Sequence, residues 1–185
     1  HLEGERAIKK ASGDDDADYV EVTFEGYGPD GIAIFVEATT DNNMRTVANV
    51  RSYFNKFNGS LGKDGCLQFI FDRKGVFTLN AEGLDEEEFM LEMIDAGAED
   101  VEFEDGIVTI TTEMEDFGNV QKALSDMDIE PTESGLQRIP TTNKKTDAKN
   151  FQTVMKLIDK LEDDDDVQKV YHNNEFDEAL FSEAG

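Results

Sequence analysis

The sequence is poor in the residues that carry most covalent and metal chemistry: its 185 residues include one cysteine, two histidines and no tryptophan. A lone cysteine, Cys66, excludes an intramolecular disulfide and suits a reducing compartment such as the cytoplasm. The scarcity of cysteine and histidine excludes a zinc site, which needs a cluster of them. No apolar run approaches the roughly 20 residues that cross a bilayer, so the sequence predicts no membrane contact.

Positive charge is also scarce, and it is unevenly distributed. The chain has 17 basic and 43 acidic residues, for a formal net charge of −26. Between Met44 and Lys74, however, six basic residues outnumber two acidic ones, which gives +4. Between Gly75 and Glu133, 19 acidic residues are opposed by Lys122 alone, which gives −18. A polyanionic partner should therefore meet the first segment and be repelled by the second.

The first part of the chain predicts a hairpin, a helix and a further strand. Segments 19–25 and 32–38 are rich in β-branched and aromatic residues and flank a turn with three glycines and a proline. Capping side chains then precede an amphipathic helix that ends near Gly59, a glycine expected to take a positive φ. The mostly apolar run 66–71 predicts the next strand, with Cys66 as a small core residue.

The middle of the chain predicts a second, complete unit. Strands are expected at 76–79, 101–104, 107–111 and 136–140, and amphipathic helices at 85–95 and 115–127. The pair Asp105-Gly106 is typical of a tight hairpin turn. The order β-α-β-β-α-β is that of the ferredoxin-like split βαβ motif.

The C-terminal segment cannot fold on its own, because it offers one amphipathic helix at 147–163 and one strand at 167–171. One helix and one strand bury too little apolar surface for a core. We therefore expect both to return to the first sheet. The predicted fold class is α+β, with two α/β modules: a sequence-split ββαβ…αβ domain and an inserted ferredoxin-like βαββαβ domain. The aspartate runs at 14–16 and 163–166 predict loops, because like charges resist close packing.

The predicted boundaries place the split domain at 17–74 plus 143–176 and the inserted acidic domain at 75–142. Residues 1–16 are interpreted as a tag remnant and an interdomain linker, because the first four residues resemble a cloning scar before a chain that starts within a helix. Residues 177–185 are interpreted as a tail. This start indicates a fragment of a longer protein.

No catalytic constellation stands out, and the sequence predicts a non-enzymatic protein without cofactor or metal. Cys66 and His172 are a conceivable nucleophile–base pair, but a core position for the first and a hydrogen-bonding surface position for the second explain them better. The aspartates at 163–166 lack the spacing of a calcium-binding loop. The turn at 26–31 matches neither a dinucleotide-binding fingerprint nor a P-loop, so backbone geometry explains its glycines better than ligand contact.

The remaining candidate is a phosphate-binding surface on the basic segment. Contacts of arginine and lysine with phosphates are electrostatic and independent of base sequence. The candidate nucleic-acid-binding residues are the six bases of the segment: Arg45, Arg51, Lys56, Lys63, Arg73 and Lys74. Ordinary solvent-exposed surface is the alternative interpretation of these side chains.

Several phrases of the sequence resemble the YebC family, also called PmpR-like, which includes the mitochondrial translational activator of cytochrome oxidase. Among them are Glu-Gly-Tyr-Gly-Pro at 25–29, Asn-Gly-Ser-Leu-Gly at 58–62 and Phe-Asp-Arg-Lys-Gly at 71–75. The others lie at 5–10, 40–42, 96–100 and 161–173. The resemblance implies three domains: a basic helical N-terminal domain, which this chain would lack, a split second domain and an inserted third domain.

The resemblance also implies a regulator of gene expression, and two activities stay open. One is a DNA-binding transcriptional regulator. The other is a ribosome-associated translation factor that contacts ribosomal RNA and possesses an acidic surface suited to basic ribosomal proteins. A small-ligand-sensing module, with the 26–31 turn as its cradle, is an alternative from another class. The sequence leaves the oligomeric state open.

Overall fold

The computed structural model describes residues 18–176. The predicted tag remnant, linker and tail, at 1–16 and 177–185, lie outside the described residues. The described chain divides into two compact units: unit 1 is formed by 18–71 and 140–176, and unit 2 is Asp72–Ile139. Helices and strands occur in both units, which confirms the α+β class. No helix in the described part is long and apolar enough to cross a membrane.

The elements follow one another with short connections. In chain order they are β1 (Val20–Tyr27), β2 (Ala33–Thr40), α1 (Asn43–Lys56), β3 (Ser60–Leu61), β4 (Phe71–Asn80), α2 (Glu86–Ala96), β5 (Ala98–Glu104), β6 (Ile107–Glu113), α3 (Phe117–Asp126), β7 (Glu133–Pro140), α4 (Ala148–Glu162) and β8 (Val167–His172). Single turns of 3₁₀ helix lie at Pro29–Gly31 and Met114–Asp116.

Unit 1 is a four-stranded sheet in the order β3-β1-β2-β8, covered on one face by α1 and α4. The hairpin of β1 and β2 is antiparallel, with Phe24 opposite Val36. Strand β8 pairs antiparallel with β2, which confirms that the C-terminal helix and strand return to the first sheet. Alternate residues of the strands point to the helices, where Phe54 and Leu157 are among the completely buried side chains.

Helix α1 is capped by a side chain at its N-terminus and by backbone hydrogen bonds at its C-terminus. The Asn42 side chain accepts a hydrogen bond from the Arg45 amide at 3.1 Å, as an N-cap residue does. At the other end Asn58, not Gly59, takes the left-handed conformation, with φ of 62°. The expectation of a positive φ at Gly59 was therefore wrong. Glycine is needed there for another reason: a Cβ at Gly59 would lie 2.4 Å from the Tyr27 carbonyl oxygen.

The strand expected at 66–71 does not form. Residues 64–70 make consecutive turns, and the strand begins only at Phe71. Leu67 is completely buried among side chains of the sheet face opposite the helices, whereas Cys66 is exposed, so its expected core position was also wrong. The apolar residues of this run cover the sheet from a turn, and the two-residue β3 takes the place of the missing strand beside β1.

Unit 2 contains its predicted elements in the predicted order. Its sheet has the order β5-β6-β4-β7, and α2 and α3 pack on it around a core that includes Phe77, Phe89 and Leu124. Asp105 and Gly106, with φ of 52° and 78°, form the tight turn between β5 and β6. Strand β4 is longer than the predicted 76–79, and its first residue, Phe71, is the last residue of the first segment of unit 1.

Candidate functional site

The six candidate basic residues do not all lie in one unit. Arg45, Arg51 and Lys56 lie on α1, and Lys63 follows β3, so four of them belong to unit 1. Arg73 and Lys74 lie on β4 within unit 2. The +4 segment is therefore continuous in sequence but divided between two compact bodies.

Arg45 is already engaged by two carboxylates. Its Nη2 atom lies 3.1 Å from Asp41 Oδ1 and 3.1 Å from Asp166 Oδ2. Asp166 is 5% exposed and also accepts a hydrogen bond from the Thr46 hydroxyl at 2.9 Å. The hydrogen bond with Asp166 raises the pKa of Arg45. The charge of Arg45 therefore anchors the loop after α4 and is largely compensated within unit 1.

The surroundings of Arg45 are acidic. A cavity of about 500 Å³ is lined by Tyr19, Asp41, Arg45, Asn49 and the aspartates 163–166. Nearby, the Tyr53 hydroxyl donates a hydrogen bond to Asp164 at 2.6 Å, and burial with this contact raises the pKa of Tyr53 to about 12. The aspartate run forms the expected loop, in which Asp164 and Asp166 bind α1 while Asp163 and Asp165 are exposed to solvent. Such a lining repels phosphate.

Lys74 is held in the same manner in unit 2. Its ammonium nitrogen lies 2.6 Å from Glu113 Oε1 and 2.8 Å from Glu99 Oε1, and its side chain is 14% exposed. The hydrogen bonds with Glu113 and Glu99 raise the pKa of Lys74. This lysine compensates acidic strands of its own unit.

The remaining candidates are exposed to solvent. Arg51, Lys56, Lys63 and Arg73 are exposed, and within residues 18–176 none of them forms an ion pair. Lys56 Nζ lies 5.6 Å from the centroid of the neighbouring Phe57 ring. Helix α1 contains no acidic residue at all. The only charged side chains on α1 beyond its first turn are therefore the exposed cations Arg51 and Lys56.

Helix α4 has further exposed basic residues, which lie outside the basic segment 44–74. Lys149, Lys156 and Lys160 are exposed on α4, which packs beside α1 on the same face of the sheet. Lys160 Nζ lies 5.7 Å from the Tyr53 ring centroid, so it reaches across to α1. We call the exposed cations of both helices the basic helical face: Arg51, Lys56, Lys149, Lys156 and Lys160. The charge balance of the α4 sequence could have indicated it, since its three lysines outnumber Asp159 and Glu162.

The glycines of the 26–31 turn serve packing. A Cβ at Gly26 would lie 2.7 Å from the Phe54 ring, and one at Gly28 would lie 3.1 Å from Ile34 Cδ1. The Gly28 amide closes the turn by donating to the Ile32 carbonyl at 2.8 Å. Backbone geometry therefore accounts for these glycines.

Cys66 and His172 have separate surroundings. The Cys66 thiol contacts the Glu25 carbonyl oxygen at 3.8 Å, and partial burial raises the pKa of the thiol, which disfavours the reactive thiolate. His172 Nδ1 accepts a hydrogen bond from the Asn174 amide at 3.0 Å, which confirms the expected hydrogen bonding, but the residue is half-buried and not at the surface as expected. Among the residues of 18–176, no group of three or more histidine, cysteine, aspartate or glutamate side chains is placed to hold a metal ion.

Comparison with known proteins gives one family. The family model described as the TACO1/YebC second and third domain matches residues 19–174. The chain belongs to this family. The YebC resemblance is thereby confirmed, and the family names describe regulation and not a reaction, in agreement with the prediction of a non-enzymatic protein.

Bacterial relatives share about half of their residues with this chain. A probable transcriptional regulatory protein of Cytophaga hutchinsonii is 52% identical over 167 residues, which is 90% of this chain and 70% of the relative. A probable transcriptional regulatory protein of Finegoldia magna is 51% identical over 171 residues, which is 91% of this chain and 71% of the relative.

A solved structure is similar over both units. The crystal structure of a conserved hypothetical protein, Aq1575, from Aquifex aeolicus has a TM-score of 0.79 and 38% identity. The alignment covers 92% of this chain and 71% of that one. The α+β fold of this chain is therefore shared with a solved structure that is 38% identical to it.

Proposed function

We propose that this chain is a DNA-binding regulator of transcription that contacts phosphates through the basic helical face of unit 1. The relatives' description as probable transcriptional regulatory proteins supports the role. The observation that carries the binding surface is α1, which exposes Arg51 and Lys56 and contains no acidic residue. Phosphate neutralisation by such side chains releases counterions and drives association.

The contacts of the six candidates differ, and so do their proposed contributions. Arg51, Lys56 and Lys63 are the leading phosphate contacts, because they are exposed and unpaired within the described residues. Arg73 is exposed too, but it lies on the acidic unit 2. Arg45 and Lys74 contribute less to phosphate binding, because a phosphate must compete with the two carboxylates that already bind each of them.

The test is a salt titration of duplex binding. Fluorescence anisotropy with the 185-residue chain and a labelled 20-bp DNA should show affinity falling steeply as NaCl rises, because each neutralised phosphate contributes a slope of about −0.9 in log K against log salt. The double variant Arg51→Glu and Lys56→Glu should reduce the slope by about 2 and lower the affinity at least tenfold at low salt.

The matched control is Lys122→Glu, which changes the charge of an exposed lysine in unit 2. We expect it to leave duplex affinity nearly unchanged. Binding that does not respond to salt, or an equal loss in the control, would argue against the proposed surface. A parallel titration with a structured ribosomal RNA fragment distinguishes DNA binding from ribosome association. A strong preference for that RNA would favour the ribosome-associated activity.

A further inference from the structure

Phe69 is an aromatic side chain presented to solvent. It exposes 84% of its surface, compared with 58% for Phe176 and 36% for Tyr27, the next most exposed aromatic residues of 18–176. It lies in the turns 64–70 of unit 1, between Leu67, which is completely buried, and Phe71, which is 8% exposed. The ring is thus directed away from a segment whose other large apolar side chains face the core.

The backbone around Phe69 is fixed from both sides. The buried carboxylate of Glu25 accepts hydrogen bonds from the Gly65 and Leu67 amides. On the other side, the Thr141 amide donates to the Ile70 carbonyl at 2.7 Å, and the Thr141 hydroxyl lies 3.3 Å from the Phe69 carbonyl oxygen. A ring on such a support loses little conformational freedom on binding, because its backbone is already ordered.

Exposed lysine and amide side chains lie close in sequence to Phe69 or to its backbone partner Thr141. Lys63 is exposed in the same run of turns, where its carbonyl accepts from the Cys66 amide at 3.1 Å. Lys145 is exposed four residues after Thr141, within about 14 Å of extended chain. Two exposed carboxylates, Asp64 and Asp72, also flank the turns in sequence. Gln68, the residue before Phe69, is also exposed and has an amide that can donate and accept hydrogen bonds.

We propose that Phe69 stacks on an unpaired nucleobase, while Lys63 and Lys145 contact the flanking phosphates. This inference rests on the proposed nucleic-acid binding and specifies the part of the ligand that unit 1 recognises. A ring can stack only on a base whose face is accessible, as in single strands, loops and bulges, whereas bases within a duplex are covered by their neighbours. The basic helical face contacts backbone phosphates in either form, and Phe69 discriminates in favour of unpaired nucleotides.

The test compares Phe69→Ala and Phe69→Trp in the 185-residue chain. The ligands are 12-nucleotide oligouridine, 12-nucleotide oligothymidine and a 12-bp DNA duplex, each at low salt. We expect Phe69→Ala to weaken binding of the unpaired oligonucleotides at least about fivefold and to leave duplex affinity unchanged, because stacking on an aromatic side chain is lost. Phe69→Trp should retain the affinity, and its indole, the sole tryptophan of the chain, should lose fluorescence on stacking. Comparison of the two oligonucleotides shows whether RNA or DNA is preferred.

The control is Leu91→Ala, which truncates a 64% exposed apolar side chain on the acidic unit 2 and should change none of the affinities. The inference is overturned if Phe69→Ala binds the unpaired oligonucleotides like the wild type. It is also overturned if Phe69→Ala instead changes the oligomeric mass, which would make the ring a protein contact. These outcomes leave the proposed function intact, since that is tested separately by the salt-dependent binding of the wild type to duplex DNA.

Discussion

At the end of β8, the side chains of His172, Asn173 and Asn174 fasten the segment that leads into α4. Asn173 Oδ1 accepts from the Ala33 amide at 2.8 Å, and its Nδ2 donates to the Thr142 carbonyl at 3.1 Å. The Asn174 amide donates to His172 Nδ1, so the imidazole must remain unprotonated at that nitrogen. Burial of the ring lowers the pKa of His172. Protonation of this one residue is therefore opposed by both its contact and its surroundings.

This arrangement predicts a stability loss on mild acidification. The unfolded chain binds a proton at His172 near its ordinary pKa of 6.5, whereas the folded chain does so only at lower pH. The contribution of the neutral His172 to the free energy of unfolding should consequently be fully present above pH 6.5. It should be lost progressively as the pH drops below 6.5, before most carboxylates titrate. Urea denaturation at a series of pH values measures this.

The matched variant is His172→Asn, whose side-chain oxygen can replace Nδ1 as the acceptor but does not titrate. Its unfolding free energy should change less over the same pH interval. His1 is present in both proteins and does not affect the comparison. Parallel pH profiles for the two proteins would show that His172 does not cause the loss.

At the scale of an element, the turns 64–70 depend on a single buried carboxylate. Glu25 lies on β1 and is 6% exposed, and both of its oxygens accept backbone amides of the turns. In place of the strand expected at 66–71, the Leu67 amide binds the Glu25 side chain instead of a neighbouring strand, and Gly65, just before that run, takes a φ of 89°. Tyr27, on the same sheet face, lies beside the Cys66 thiol. A charged residue that faces inward from β1 thus organises a whole segment.

Glu25→Gln should release this segment. One carboxylate oxygen becomes an NH₂ group facing a backbone donor, so at least one hydrogen bond to an ionised acceptor is lost, at a cost of about 1–3 kcal/mol. Hydrogen exchange of the Gly65 and Leu67 amides should accelerate, and the chain should become more sensitive to trypsin at Lys63. Mass spectrometry detects both changes.

Glu21→Gln is the control, because Glu21 is exposed on the same strand. It should leave exchange at Gly65 and Leu67 as in the wild type. Unchanged protection in Glu25→Gln would contradict the role of the carboxylate.

At the scale of the whole molecule, the ends of unit 2 leave and re-enter unit 1 at neighbouring positions. The Thr141 amide donates to the Ile70 carbonyl at 2.7 Å, so the residues that flank unit 2 are in direct contact. The core of unit 1 is drawn from β1, β2, α1, α4 and β8, all outside 72–139. The whole acidic surplus between Gly75 and Glu133 belongs to unit 2, where like charges repel one another.

Removal of unit 2 should leave unit 1 folded. We expect a chain in which a short glycine-serine linker replaces Asp72–Ile139 to unfold cooperatively and to keep its helical circular dichroism, because the linker need only join adjacent ends. The excised segment 72–139, expressed alone, should fold too, since it has its own core. A joined chain that lacks a cooperative transition would show that unit 1 requires unit 2.

The sequence alone determined the elements with a strong local signal, together with the family. The Asp-Gly turn, the cap at Asn42 and the periodic apolar positions of the helices depend on residues close in sequence, so a single segment contains the information. The return of α4 and β8 followed from their inability to form a core alone. The division of charge between the two parts of the chain was also readable, because it needs only counting.

Tertiary structure decided which candidate residues have a charged group that is not already in an ion pair. Arg45 and Asp166 are separated by 121 positions along the chain, yet they lie 3.1 Å apart and cancel one another. The exposure of Phe69, in a mostly apolar run that the sequence assigns to a strand, likewise depends on turns held by Glu25, more than 40 residues earlier. No local pattern specifies such pairs, because long-range contacts form only when the folded sheet brings distant segments together.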